Sequence, residues 1–158
     1  MDLLPKTVNQ SAIDYLPYLI MPNDLNARNT VFGGRVLVMA DLTAAQVAIR
    51  HCNRDCVTLS MDRCNFLAPA KQGETLIFKI SINRVWGSSM EIGVKVLTED
   101  HLTGESRHVF SSYFTFVAMN ENGKPTKARP VVPETEDQKR RYEEADKRRQ
   151  HRLNEKRP

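Results

Sequence analysis

Apolar and polar residues alternate along four long stretches of the chain, as they do in β-strands that bury one face. These stretches are residues 57–62, 74–86, 90–98 and 107–119. Pro17 limits an earlier candidate, residues 15–20, to the edge of a sheet. The turn signals are Gly87-Ser88-Ser89 and Asn122-Gly123. The apolar positions expected to face the core are Val57, Leu59, Met61, Leu76, Phe78, Ile80, Ile82, Met90, Ile92, Val94 and Val96.

A long, alanine-rich segment, residues 32–50, lacks helix breakers after Gly34 and predicts a helix. At about 100° per residue, one side of this helix carries polar residues, and Asp41 falls opposite to them. The core-facing side is therefore expected to carry the Asp41 carboxylate. In an alternative interpretation, residues 35–40 form a strand and Asp41 caps a shorter helix, a position that aspartate favours. The polar side consists of Arg35, Thr43, Gln46 and Arg50.

The order of these elements predicts the α+β class, with an antiparallel sheet packed on one buried helix. We assign residues 1–133 to this domain and residues 134–158 to a charged tail. The tail has a helix-forming composition, with nine Lys or Arg against seven Asp or Glu, and indicates a solvated surface helix. One sheet on one helix leaves an edge or a flank uncovered, so we expect the chain to associate with itself.

Composition excludes several classes of protein. Hydrophobic residues make up 41% of the 158 positions and charged residues 27%, as in ordinary globular domains. No export signal or membrane span is visible, and three cysteines without a CxxC pair suit a reducing cytoplasm. His51 beside Cys52 matches no metal-binding spacing, so we expect no metal. Tyr142 is the tail's one aromatic residue, which disfavours nucleic acid as a partner.

Three features carry candidate chemistry. A carboxylate among apolar side chains needs a polar partner, which makes Asp41 a candidate catalytic group, although a helix cap explains it too. Gly33-Gly34 at the head of the helix offers backbone N–H groups to a developing negative charge, although paired glycines often only form tight turns. The amide of Asn26 can orient a water or a carbonyl, although most loop asparagines only stabilise turns. Gly33 and Asp41 lie roughly 12 Å apart along the helix, so two subunits are needed to bring both to one carbonyl.

Taken together, NARNTVFGGRVLVMADLTAAQVAIRH at residues 26–51 resembles the cytosolic acyl-CoA hydrolase family of acyl-CoA thioesterases. Further matches are VTLSMDRCNFLAPAKQGE at residues 57–74, GSSMEI at 87–92, and FTFVAMNENGKP at 114–125 followed by VVPETEDQ at 131–138. The likeness covers roughly residues 20–140, and the ordered set of motifs is more specific than any one of them. It also disfavours the cap interpretation of Asp41.

The resemblance implies a hotdog fold, in which an antiparallel sheet wraps a long central helix, and a homohexamer built as a trimer of dimers. It implies hydrolysis of fatty acyl-CoA to free acid and CoA, with no cofactor, since CoA belongs to the substrate. Asn26 and Asp41 of different subunits would be catalytic, and the N–H groups near Gly33 and Gly34 would polarise the carbonyl. Asp41 would act as a general base or as a nucleophile. Gly87, Ser88, Ser89 and Met90 would lie along the CoA moiety.

Two positions depart from the family pattern. Asn29 stands where glycine is common, although asparagine tolerates left-handed backbone angles. Trp86-Gly87 replaces the usual Gly-Arg, so a phosphate-facing arginine is missing, and Arg84 or Lys71 is the expected substitute. Two other functions stay open: a non-catalytic acyl-CoA-binding sensor, and a scaffold or nucleic-acid-binding protein that uses the tail.

Overall fold

The alternating segments form one antiparallel sheet in a computed structural model of the protein, which describes residues 3–155. Two α-helices of the described chain accompany it, α1 at Gly33–Cys52 and α2 at Glu136–Asn154. The α+β class and the wrapped central helix are therefore confirmed. The strands are β1 Lys6–Thr7, β2 Ile13–Leu19, β3 Cys56–Met61, β4 Asn65–Phe66, β5 Thr75–Trp86, β6 Ser89–Glu99, β7 Ser106–Ala118 and β8 Val131–Val132.

The main sheet has the strand order β2-β5-β6-β7-β3, and the short β4 also pairs with β7. Strands β5 and β6 form a hairpin around the predicted turn, where Trp86 faces Ser89 and Gly87 has a φ of 54°. Pro17 lies in β2, at one edge of the sheet as predicted. An edge strand tolerates proline because one of its sides has no neighbouring strand that needs an N–H donor. Strand β3 forms the opposite edge. Strands β1 and β8 make a separate parallel pair.

Helix α1 packs on one face of this sheet and closes the core. The alternation in β5 and β6 is confirmed, since all eight predicted apolar positions are buried. The face assigned to α1 was wrong, because Thr43 is buried and Asp41 is only half-buried, at the flank of the helix. The buried residues of α1 are Val36, Ala40, Thr43, Ala44, Val47, Ala48, His51 and Cys52.

Strand β3 lies at the sheet edge, and Val57, Leu59 and Met61 are all exposed, so the prediction that they face the core was wrong. Helix α1 has a second apolar face that also stays exposed, and Leu42 on it exposes 60% of its surface. Isolated exposed apolar residues are common, whereas a contiguous face of this kind marks an interaction surface. We call this exposed apolar face of α1 the flank face: Val38, Leu42 and Ile49.

Helix α2 packs on the opposite, outer face of the sheet. Thr135 caps it by accepting a hydrogen bond from the N–H of Gln138, and Ala145, in the middle of the helix, is fully buried. Trp86 donates from Nε1 to Asp146 at 2.7 Å. The predicted helix is thus confirmed, but the interpretation that it is merely solvated was wrong, because its charged residues pair with the sheet.

Buried His51 joins the end of α1 to two distant segments. Its Nε2 lies 3.0 Å from the carbonyl of Arg129, and its Nδ1 lies 3.2 Å from the hydroxyl of Ser11. Since a carbonyl only accepts, the neutral ring carries its proton on Nε2, and Nδ1 accepts from Ser11. Burial lowers the pKa of His51 from 6.5 to about 4.

The depressed pKa of His51 predicts a loss of stability in mild acid. Between pH 6.5 and 4 the unfolded chain binds a proton at His51 that the folded chain does not, so the free energy of unfolding falls as the pH drops. The loss is on the order of 3 kcal/mol. Urea unfolding of His51→Gln at pH 7 and pH 4.5 should show a smaller difference than the wild type, whereas the exposed His101→Gln should behave like the wild type. Equal pH dependence in all three proteins would contradict this.

Candidate active site

Asp41 lies in the third turn of α1, well inside the helix, so it does not cap a shorter helix. The hydroxyl of Thr58 on β3 donates a hydrogen bond of 2.7 Å to Asp41 Oδ1. Among the described residues this is the one hydrogen bond to the Asp41 side chain, and Oδ2 is left available to a ligand. Asp41 therefore borders the flank face as a half-buried carboxylate with one free oxygen.

Thr58 was missed by the sequence analysis, although the alternation in residues 57–62 placed it opposite Val57 and Leu59. Its pairing with Asp41 spans 17 positions and two elements, which no local periodicity reports. A hydrogen bond to a carboxylate is about twice as strong as one between neutral groups and fixes its orientation. The partner that a carboxylate on α1 requires is thus the hydroxyl of Thr58.

Gly33 and Gly34 open α1, as predicted, directly after Phe32 in the N-cap position. Within residues 3–155 neither glycine N–H meets a hydrogen-bond acceptor. The aromatic ring of Phe66 lies 3.1 Å from the place that a Cβ of Gly33 would occupy, so a larger residue there would displace the ring. Two free N–H groups at the positive end of a 20-residue helix form a place for a negatively charged oxygen.

Asn26 lies in the loop before α1 and organises that loop. Its Oδ1 accepts from the N–H of Arg28 at 2.8 Å, and its Nδ2 donates to Thr30 Oγ1 at 3.1 Å. One amide hydrogen is left for a ligand. Asn29 adopts the expected left-handed conformation, with φ of 57°. Among the described residues no hydrogen bond joins Asn26 to Asp41 within one chain.

Asp24 was also missed, and it fastens the Asn26 loop to α1. Its carboxylate is nearly fully buried and lies 2.8 Å from Nε of Arg35 in the first turn of the helix. Tyr18 donates its hydroxyl to Asp24 at 2.9 Å, and this hydrogen bond raises the pKa of Tyr18. The turn-forming residues 21–24 (MPND) predicted the loop but not the ion pair between Asp24 and Arg35. Asp24 thus fixes the position of the Asn26 loop at the N-terminus of α1.

The predicted CoA-binding residues are placed differently from one another. Gly87, Ser88 and Ser89 form the exposed to half-buried turn between β5 and β6, whereas the Met90 side chain is buried in the core against Cys52. Arg84 pairs with Asp146 at 2.6 Å, and its guanidinium lies 4.0 Å from the centre of the Tyr142 ring. It would have to leave these partners to reach a phosphate. Lys71 is exposed next to Thr30.

No group of three or more His, Cys, Asp or Glu side chains in residues 3–155 is arranged to hold a metal ion. Cys52, Cys56 and Cys64 are free thiols. A hydrogen bond from Cys56 lowers the pKa of Cys52 to about 7. Neither helix of the described chain is long and apolar enough to cross a membrane.

Comparison with known sequences gives a consistent result. The thioesterase superfamily model matches residues 28–105. The chain is 44% identical over 135 residues to Protein VdlD of Helicobacter pylori, covering 85% of this chain and 77% of that one. It is 43% identical over 119 residues to the uncharacterized acyl-CoA thioester hydrolase YkhA of Bacillus subtilis, covering 75% and 69%.

Solved structures share the whole fold. An apo-hexameric acyl-CoA thioesterase superposes with a TM-score of 0.92 at 36% identity, covering 96% of each chain. An acyl-CoA hydrolase of Staphylococcus aureus, in complex with butyryl coenzyme A, coenzyme A and coenzyme A disulfide, superposes with a TM-score of 0.88 at 32% identity, covering 94% and 90%. These likenesses extend over nearly the whole chain. The chain therefore belongs to the acyl-CoA thioester hydrolases of the thioesterase superfamily.

Proposed function

We propose that this acyl-CoA thioester hydrolase cleaves fatty acyl-CoA to free fatty acid and CoA with Asp41 as its central group. The 2.7 Å hydrogen bond between Thr58 and Asp41 carries the proposal. It orients the carboxylate and leaves one oxygen to act on the thioester. That oxygen either takes a proton from the attacking water as a general base or attacks the carbonyl carbon as a nucleophile.

The free N–H groups of Gly33 and Gly34 stabilise the oxyanion that forms on the thioester carbonyl. Donors that already point at the developing charge are worth about 3–4 kcal/mol each in comparable sites. Asn26, held beside the same helix end by its own loop and by Asp24, orients the water or the carbonyl through its remaining amide hydrogen. The carboxylate and the oxyanion-binding N–H groups thus lie at two separate positions along α1.

Alanine variants of the Staphylococcus aureus hydrolase support this assignment. That protein has been solved with alanine in place of one asparagine, one aspartate and one threonine. The three lie 15 and 17 residues apart, the same spacing as Asn26, Asp41 and Thr58 in this chain. The shared spacing and fold support the proposal that Asn26, Asp41 and Thr58 are the corresponding residues.

Two copies of the chain complete one site. Asp41 lies two turns along α1 from Gly33, a distance of roughly 12 Å, too far for both to meet one thioester. The flank face beside Asp41 gives a second copy an apolar surface to cover, and the hexameric relative supports a trimer of dimers. In this arrangement Asp41 and Thr58 of one copy face Asn26, Gly33 and Gly34 of the other.

Mixed assemblies of two inactive variants test the shared site. Asn26→Ala and Asp41→Ala chains, each inactive alone, are unfolded together and refolded. A mixed dimer then contains one intact site, so thiol-reagent assays should recover roughly a quarter of wild-type CoA release. Each variant refolded alone is the control.

If each site lay within one chain, mixing would restore no activity. Tight binding of acyl-CoA without hydrolysis by the wild type would instead revive the sensor hypothesis. The cytoplasmic location and the absence of nucleic-acid or membrane partners stay predictions. Four arginines of the tail pair with carboxylates and two of its described cations, Lys147 and Arg149, do not, so the tail has the mixed charge that disfavours nucleic-acid binding. The four paired arginines are Arg140, Arg141, Arg148 and Arg152.

A further inference from the structure

A groove of about 1020 Å³ runs along the outer face of the sheet, between β3, the β5–β6 turn and the C-terminal half of α2. Leu59, Ser60 and Met61 of β3 line one side of it. Trp86 and Ser89 line the other side, at the turn. We call it the outer groove. It begins one residue after Thr58 on β3, so the groove and the candidate active site share a strand.

The outer groove contains more cations than ion pairs in the described chain. Asp62 pairs with Arg152 at 2.7 Å, and the other acid, Glu155, lies at the end of the groove 3.4 Å from His151. Arg148 is held by Glu91. The remaining cations are Arg63, Lys147 and Arg149, and within residues 3–155 none of the three forms an ion pair.

Arg149 is fixed at the turn although it has no acid. Its guanidinium lies 4.8 Å from the centre of the Trp86 ring, within the range of a cation–π contact. The ring is itself fixed, because its Nε1 donates to Asp146 at 2.7 Å. A planar guanidinium held in place with free N–H donors is suited to a phosphate, which it can bind with two parallel hydrogen bonds.

The wall of the groove also contains an unsatisfied polar atom. Thr115 exposes only 8% of its surface, and its Oγ1 has no hydrogen-bond partner in the described structure. A buried hydroxyl without a partner is costly unless a ligand or water supplies one. The groove therefore combines unpaired cations with a hydroxyl that lacks its partner.

We propose that the outer groove binds the phosphorylated nucleotide end of acyl-CoA, with Arg149 and Lys147 of α2 and Arg63 as its cationic contacts. This inference rests on the proposed function, because acyl-CoA is the anionic substrate that the groove has to accept. It gives α2 a role in substrate binding that neither Arg84 nor Lys71 fills. It also provides phosphate contacts in place of the arginine that the family pattern has at the Gly87 position.

The test compares acyl-CoA with the matching acyl-pantetheine, which has the same thioester but no nucleotide or phosphate. The measured quantity is the ratio of kcat/KM for the two substrates. Losing one charge-assisted contact corresponds to about a tenfold fall in this ratio for Arg149→Gln, and to more for Arg149→Gln with Lys147→Gln. The inhibition constant of adenosine 3′,5′-bisphosphate should rise in parallel. Arg149→Lys should recover part of the ratio.

Arg140→Gln is the matched control, since Arg140 lies on the solvent side of the same helix and pairs with Asp137 and Glu144. It should keep the wild-type ratio. An unchanged ratio in the Arg149 and Lys147 variants would overturn the inference. So would a smaller assembly on a sizing column with equal losses on both substrates, which would assign the groove to a contact between copies. Failure of the proposed function is separate: it would appear as full activity of Asp41→Ala on both substrates.

Discussion

Asp41→Ala is expected to lower the rate of acyl-CoA hydrolysis by about 10²- to 10⁴-fold, the usual contribution of a positioned acid–base group. The variant removes the carboxylate oxygen proposed to act on water or on the carbonyl, while alanine, the strongest helix former, preserves α1 at that position. Asp41→Asn should be nearly as inactive, because it keeps the shape of the side chain and loses its charge. CoA release followed with a thiol reagent measures both.

Controls separate chemistry from folding in this experiment. Asp14 is an exposed aspartate on β2, and Asp14→Ala should keep wild-type activity. Thr58→Val removes the hydroxyl that orients Asp41 and should lower kcat about tenfold, less than loss of the carboxylate itself. All variants should elute as the wild-type assembly. Near-normal turnover in Asp41→Ala with the assembly intact would rule out the proposed role.

Long alternating segments were the part of the fold that sequence could predict. Strands β5, β6 and β7 each have 11 or more residues, and β5 and β6 pair along nearly their whole length, so local pattern and tertiary burial agree. The short elements were not predicted, because the two-residue strands β1, β4 and β8 contain no periodicity to detect. The sheet was therefore predictable where it is long.

The wrong face for Asp41 has a physical cause in the apolar pattern of α1. Helix α1 has two apolar faces, a core face of small residues such as Ala40 and Ala44, and the flank face with larger ones such as Leu42. A hydropathy pattern cannot distinguish a residue buried in its own chain from one that a second copy covers. Asp41 lies between the two faces, and the helix pattern alone assigned it to the core.

The packing of α2 on the sheet was not predicted, for a different reason. Alternating charges normally indicate a solvated helix. Here they meet Glu91, a polar residue in β6 that is completely buried and more than 50 positions away. No pattern in residues 84–86 indicates that Arg84 and Trp86 both bind Asp146. Charge complementarity between distant segments is invisible to local sequence patterns, and so was the outer groove that it builds.

Arg148→Met is expected to destabilise the fold by about 3–5 kcal/mol, because it leaves the buried carboxylate of Glu91 without its main partner. Arg148 lies 2.7 Å from Glu91 and also stacks on Tyr113, with 3.7 Å between its guanidinium and the ring centre. Arg152 and Asn83 also donate to Glu91, at 2.8 Å and 2.9 Å, but they do not replace the bidentate contact. The midpoint of urea unfolding at constant protein concentration measures the loss.

The double variant Glu91→Met with Arg148→Met decides whether the loss comes from an unpaired charge. Removing both partners of a buried pair is often neutral or stabilising, so the double variant should be more stable than Arg148→Met alone. Arg140→Met is the matched control on α2, where an exposed pair is worth at most about 1 kcal/mol. If the double variant lost the sum of the two single losses, packing of the long side chains, and not the charge of Glu91, would hold α2 on the sheet.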